Sequence, residues 1–296
     1  MKLVRFEADG RRAIGAFIED EQVVVDLARA GGAGAEHRFP ESMSAFLALG
    51  STGADDASAT VKQASSSARL PLGSVRLLAP IGDPGKIMCI GQNYRDHCLE
   101  QNQPFPERAI LFSKFNTALN DPGGVVRLPR VSKQVDYECE LAVVIGGRGG
   151  GGRDIPEAEA LNHVAGYMCA NDVSGRDIQL NPAEKQWIRG KSPDGFFPIG
   201  PWLVTPDEIA DPHDLVIELT LNGETRQKSN TGNLIFNIPY LIANLSETMT
   251  LLPGDIISTG TPGGVGMYSN PQVFLKPGDT MSVTISRLGT LTNTVA

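Results

Sequence analysis

The chain has 296 residues, 41% hydrophobic and 20% charged, with 33 Gly and 20 Pro. That is long enough to bury a full core without disulfides or structural metals, and it describes a loop-rich globular protein, not a disordered or helical-array one. The formal net charge of -8 at pH 7 excludes a broad nucleic-acid or anionic-membrane surface and means that an anionic substrate needs a local cation.

The opening residues read as short strands at Leu3 to Glu7, Ala13 to Ile18 and Val23 to Leu27, separated by an Asp9-Gly10 turn and the acidic turn Glu19-Asp20-Glu21. Ser42 caps an apolar patch running to Leu49, and Ala54 to Leu70 is rich in Ala and Ser, so two helices are expected next. Pro71-Leu72-Gly73 and the Pro80 to Gly85 stretch punctuate the chain. They divide it into a small N-terminal β/α domain, 1–75, and a larger domain, 76–296. Beyond them, strands recur between turns such as Asp121-Pro122-Gly123, Asn222-Gly223 and Leu252-Pro253-Gly254-Asp255. The fold class expected is therefore α+β, mostly β.

Ile90-Gly91 ends a strand, and a short helix capped near Asn93 follows, placing His97 and Glu100 on one helical face. A carboxylate on one imidazole nitrogen fixes the tautomer and leaves the other nitrogen free to take a proton. Such a pair is more often two solvated neighbours. His37, His163 and His213 lie at helix ends or in loops, which leaves His97 as the best base candidate.

In the run Asp136-Tyr137-Glu138-Cys139-Glu140-Leu141-Ala142-Val143-Val144-Ile145 the β-branched tail indicates a strand, and period two puts Glu138 and Glu140 on one face. On a solvated strand that pair is harmless. Five apolar residues follow it, however, and indicate burial on both faces. Buried like charges must take up a proton or share a cation, and oxygen ligands favour Mg²⁺ or Mn²⁺. Asp172, at the end of the apolar run from Val164, completes a possible third ligand.

Gly147-Arg148-Gly149-Gly150-Gly151-Gly152 fits G-x-G-x-x-G after a strand, with Asp172 twenty residues on. The run continues into Arg153-Asp154-Ile155-Pro156, so no helix opens at the third glycine, and a flexible loop is the better reading than a dinucleotide site for an oxidoreductase. The four cysteines, Cys89, Cys98, Cys139 and Cys169, form no C-x-x-C pair and read as reduced, buried thiols. No apolar leader opens the chain and no run reaches the length of a membrane span, so a cytoplasmic protein is expected.

Three ordered segments, Gly91-Gln92-Asn93-Tyr94-Arg95-Asp96-His97-Cys98-Leu99-Glu100, Glu138-Cys139-Glu140 and Asp172-Val173-Ser174-Gly175-Arg176-Asp177-Ile178-Gln179, resemble those of the fumarylacetoacetate hydrolase family. Gly190-Lys191-Ser192 and Thr259-Gly260-Thr261-Pro262 follow in order. The resemblance runs from about Ile81 to the C-terminus and is nearest to the branch called fumarylacetoacetate hydrolase domain-containing protein 2. It implies a mixed β-sandwich roll, a homodimer, Mg²⁺ or Mn²⁺ on Glu138, Glu140 and Asp172, and a catalytic His97–Glu100 dyad on a lid helix. Lys191 supplies positive charge for an enolate or carboxylate, Arg176 and Gln179 donate hydrogen bonds, and the turn carrying Thr261 offers N–H groups and hydroxyls to a substrate carboxylate, although it reads equally as an ordinary Gly-rich turn. One departure is Gln92, where many acylpyruvate hydrolases and oxaloacetate decarboxylases of the family carry Arg.

The implied chemistry is that of a small 2-oxo acid whose enolate a divalent cation stabilises. Keto-enol tautomerisation of oxaloacetate, C–C hydrolysis of an acylpyruvate and decarboxylation of oxaloacetate all pass through that species. A non-catalytic metal- or small-molecule-binding protein on the same fold is the rival from another class.

Overall fold

The computed structural model describes residues 1–184 and 186–296. Its frame is a twelve-stranded sheet. Strand Cys139–Ile145 lies near the centre, antiparallel to Val164–Asn171 on one side and to Ile256–Ser258 on the other. Ile87–Gly91 then runs parallel to Ile256–Ser258, and Ile110–Ser113 closes that edge.

Every residue of Cys139–Ile145 is buried, because both faces are covered. Cys139, Leu141, Val143 and Ile145 point into one core with Ile217, Leu219 and Val283 of a second, five-stranded sheet and with Leu241 and Ile242 of the helix Ile238–Ser246. Ala142 and Val144 point into the other, against Ile87, Met168 and Phe197. Two stacked sheets with a helix in the shared core make the α+β roll expected from the strand-rich texture.

The N-terminal strands extend the same large sheet. Lys2 and Leu3 pair with Val204 and Leu203, and Lys2–Ala8, Arg11–Ile18, Val23–Asp26 and Arg69–Pro71 continue outward by antiparallel pairing. The third expected strand stops at Asp26, whose carboxylate caps a short helix, Leu27–Gly31, by accepting from Arg29 N. The Ser42 cap is present over Met43–Leu47. The second expected helix is displaced: it occupies Gly50–Gln63, and Arg69–Pro71 is drawn into the sheet edge instead. Among the described residues no helix is long and apolar enough to cross a membrane.

Candidate active site

Backbone pairing creates the carboxylate cluster. Asp172 N donates to Glu138 O at 2.9 Å and Glu138 N to Asn171 Oδ1 at 3.0 Å, so the end of one strand is pinned beside the start of its neighbour. Glu138, Glu140 and Asp172 are all buried, with oxygens within 4.8 Å of one another.

Three cations answer them. Lys191 Nζ lies 2.8 Å from Glu138 Oε2 and 2.7 Å from Asp172 Oδ2. Lys114 Nζ pairs with Asp172 Oδ1 and donates to Val173 O at 3.1 Å, and Arg176 Nη1 sits 2.6 Å from Glu138 Oε1. Burial opposes the charge on Glu138, but Lys191 and Arg176 outweigh it and hold the carboxyl down to about 2. Burial, reinforced by the charges of Asp172 and Glu138, instead pushes Glu140 well above the usual carboxylate range, although it accepts from Ser258 Oγ and from Gly260 N at 3.0 Å.

Glu140 is thus the least compensated of the three. Three buried carboxylates with oxygen ligands only fit a hard divalent ion, which would discharge the repulsion that raises Glu140. With Asp136, four carboxylates face Lys114, Lys191 and Arg176, a formal excess of one negative charge. A dication turns the cluster net positive, which an anionic substrate needs in so acidic a chain.

The helix carrying the His–Glu pair spans Arg95–Glu100. Its expected Asn93 cap is not formed: Tyr94 precedes the helix, and the Asn93 side chain donates to Thr259 O and Phe236 O and accepts from Phe236 N, tying the helix entry to two neighbouring loops. His97 Nδ1 and Glu100 Oε1 are 2.7 Å apart, and Glu100 Oε2 accepts from Gly264 N at 2.7 Å. The imidazole lines one cleft with Glu138, Glu140, Arg176, Gln179, Lys191 and Thr261.

All the residues singled out in the sequence border this cleft or, as Asp172 and Glu100 do, directly hold a residue that does. Gln179 accepts from Arg176 Nη1 at 3.0 Å, and Thr261 Oγ1 accepts from Gln227 Nε2 at 2.8 Å. The N–H of Gly260 serves Glu140 and is not left for a substrate carboxylate. Gln92, in the left-handed region at φ 52°, reaches toward Gln101 Oε1 at 3.5 Å.

Sequence reasoning missed Lys114, Asp136, Gln227 and Ser258, all buried. Only a charged or amide residue inside an apolar run could have flagged Lys114 or Asp136; Gln227 lies in a polar strand with no such signal. The glycine run is not a free loop. A Cβ on Gly147 would fall 2.3 Å from Val164 O and one on Gly151 2.4 Å from Leu251 O, so these glycines permit close backbone packing.

Residues 86–296 match the family model described as the C-terminal domain of fumarylacetoacetate (FAA) hydrolase. Over its full length the chain is 43% identical to 90% of a Xenopus laevis protein named oxaloacetate tautomerase fahd2, mitochondrial. Among solved structures it resembles the fumarylacetoacetate hydrolase of psychrophilic Exiguobacterium antarcticum, at 36% identity and TM-score 0.81, covering all of this chain and 99% of that one. It also resembles the maleylpyruvate hydrolase of Sphingobium sp. SYK-6 in complex with manganese(II) and pyruvate, at 30% identity and TM-score 0.78, with coverage of 100% and 99%. The expectation of a cytoplasmic protein is overturned by the mitochondrial name of so similar a relative. The acidic composition does not distinguish the two compartments.

Proposed function

We propose, from the premise that this enzyme belongs to the fumarylacetoacetate hydrolase family, that it is a divalent-cation-dependent tautomerase of a small 2-oxo acid, oxaloacetate in the first place. The observation that carries this reading is the His97–Glu100 dyad opening onto the same cleft as Glu138 and Glu140. Similarity to an oxaloacetate tautomerase over the whole chain supports the choice of substrate.

Glu138, Glu140 and Asp172 would hold Mg²⁺ or Mn²⁺, which when bound supplies a Lewis acid for the carboxylate and 2-oxo oxygens of the substrate. His97 Nε2 takes the proton from C3, because Glu100 keeps the ring's proton on Nδ1. The electron pair left by that proton moves onto the C2–O unit, and the proton taken up by His97 passes to that oxygen, which completes the enol and restores the base. Lys191 and Arg176 place positive charge where it develops, and Gln179 and Thr261 orient the acid. The C–C hydrolysis of an acylpyruvate is the second reading, supported by the likeness to a maleylpyruvate hydrolase. It uses the same groups with His97 directed at a water molecule.

Two features of organisation belong to the same proposal. Residues 1–75 form a small N-terminal unit on the catalytic body 76–296. The working form is a homodimer, for which the exposed Leu111 and Phe115 beside the free edge Ile110–Ser113 provide apolar surface. Sedimentation at assay concentration tests the dimer. Turnover of enol-oxaloacetate, oxaloacetate, acetylpyruvate and fumarylpyruvate, each with Mg²⁺ and with Mn²⁺, tests the function: tautomerisation of the first two is expected to dominate, and inactivity on all four would reject the assignment.

A further inference from the structure

We infer that Asp136 is a positioning residue for the substrate anion, acting through Arg176 and the segment Gly266–Tyr268; this rests on the reading of the cleft as a 2-oxo acid site. Asp136 is fully buried and does not line the cleft. Its two oxygens accept from Arg176 Nε at 2.9 Å, Gly266 N at 2.8 Å, Met267 N at 3.0 Å and the adjacent Tyr137 N at 2.9 Å. Four donors converge on one side chain, and only a carboxylate, with about four acceptor sites and no donor, satisfies them all.

The consequence lies in Arg176. Its Nε is fixed by Asp136, and its Nη1 by Glu138 and Gln179. Its Nη2 is buried and has no hydrogen-bond partner among the described residues. A planar guanidinium pinned at two nitrogens has its third set in direction before any ligand arrives. Arg176 borders the cleft, so a guanidinium held in this way presents its charge to an anion there in a fixed direction, and its one unpartnered nitrogen is the donor left for an anionic oxygen.

The other half of the clamp is the segment that carries Met267 and Tyr268, which also line the cleft. Gly266 and Met267 hang on Asp136 through their N–H groups, and the next residue, Tyr268, stands edge-on to His97 with ring centroids 6.3 Å apart. Asp136 therefore fixes the anion donor and the aromatic wall over the base relative to each other. Neither the metal ligands nor the dyad contact it directly; its link to Glu138 runs through Arg176.

The test is Asp136→Asn, with binding of oxalate to the Mn²⁺-loaded protein measured by calorimetry and Mn²⁺ affinity measured separately by electron paramagnetic resonance. Oxalate carries two carboxylates and undergoes no turnover, so this readout stands even if the enzyme proves to have a different reaction. A variant folded as judged by its thermal transition should bind oxalate roughly tenfold or more weakly, the loss expected for a misdirected charged hydrogen bond, while Mn²⁺ affinity changes by no more than about threefold. KM for oxaloacetate should rise more than kcat falls. Unchanged oxalate affinity overturns the inference, and so does an equal loss of Mn²⁺ affinity, which would put the effect on Glu138. If Asp136→Asn does not fold, a crystal structure of the unaltered protein with Mn²⁺ and oxalate decides: Nη2 of Arg176 on an oxalate oxygen supports the inference, and Nη2 turned away from the ligand refutes it.

Discussion

Replacing Glu100 with Gln should harm the enzyme more than replacing it with Ala, because of where its two oxygens lie. Glu100 Oε2 accepts from Gly264 N at 2.7 Å and Oε1 faces His97 Nδ1 at 2.7 Å. A backbone N–H only donates, so an amide at position 100 must present its oxygen to Gly264 and its NH₂ to His97. That NH₂ makes Nδ1 an acceptor and moves the ring proton to Nε2, the nitrogen required to be the base. Restoring the working tautomer costs a hydrogen bond and a donor–donor contact, about 1–3 kcal/mol, and the imidazolium also loses a carboxylate partner worth about 1.5–3 kcal/mol. The sum corresponds to a fall in kcat of about 10²–10⁴-fold, and its upper end is the loss seen when the carboxylate of a hydrolase triad becomes an amide. In Glu100→Ala water enters, since the side chain is already 22% exposed, and both tautomers are available; only the second loss applies, about 10–10²-fold. The assay is the initial rate of enol-oxaloacetate consumption at saturating substrate and cation. If Glu100→Gln is as active as Glu100→Ala or more so, the assignment of Nε2 as the base is wrong.

Gly264 sits at φ 100° with a hypothetical Cβ 2.2 Å from Arg226 O, so Gly264→Ala should destabilise by about 1–3 kcal/mol in denaturant unfolding, whereas Gly278→Ala, at φ 92° with nothing within 4 Å, should cost less. Lys114→Met removes one of the two ammonium groups on fully buried Asp172 and leaves Lys191 as its cation, so it should cost about 1–3 kcal/mol in the same measurement. Burial and the neighbouring charges of Asp172 and Glu138 raise Glu140, so below that raised value the carboxyl is protonated and a cation must displace its proton. Mn²⁺ affinity should therefore fall as pH falls through this window, by up to about tenfold per pH unit, with about one proton released per ion bound in calorimetry across buffers of different ionisation enthalpy; affinity independent of pH there would contradict the shared site.

The two-sided burial of Cys139–Ile145 was legible, because a run of apolar residues after Glu140 leaves no solvent face for either carboxylate. The His97–Glu100 contact was legible for a simpler reason: helical spacing alone brings three-apart residues together. What periodicity could not supply is the set of contacts between segments distant in sequence. Lys114 reaches Asp172 across 58 positions, and Gln227 joins Cys139 N to Thr261 from another sheet. Asn93 shows the limit most clearly, since its local propensity to cap a helix is overridden by partners at Thr259 and Phe236 that only the tertiary fold brings near. The region Ala54 to Leu70 shows a related limit at the sheet edge: the helix ends at Gln63, before the serine run, and Arg69–Pro71 pairs with Val23–Val25, a partner that local propensity does not reveal.

The central claim is that cation-dependent proton transfer at C3 of a 2-oxo acid is the reaction of this cleft. Its most direct test strips the enzyme by exhaustive chelation, restores Mg²⁺ or Mn²⁺ in steps, and follows enol-oxaloacetate absorbance and deuterium entry at C3 in the same samples. Both signals should vanish on stripping and return together as the cation is added. A stripped enzyme that keeps its full rate, or a reloaded one that leaves C3 exchange at the uncatalysed level, would contradict the account.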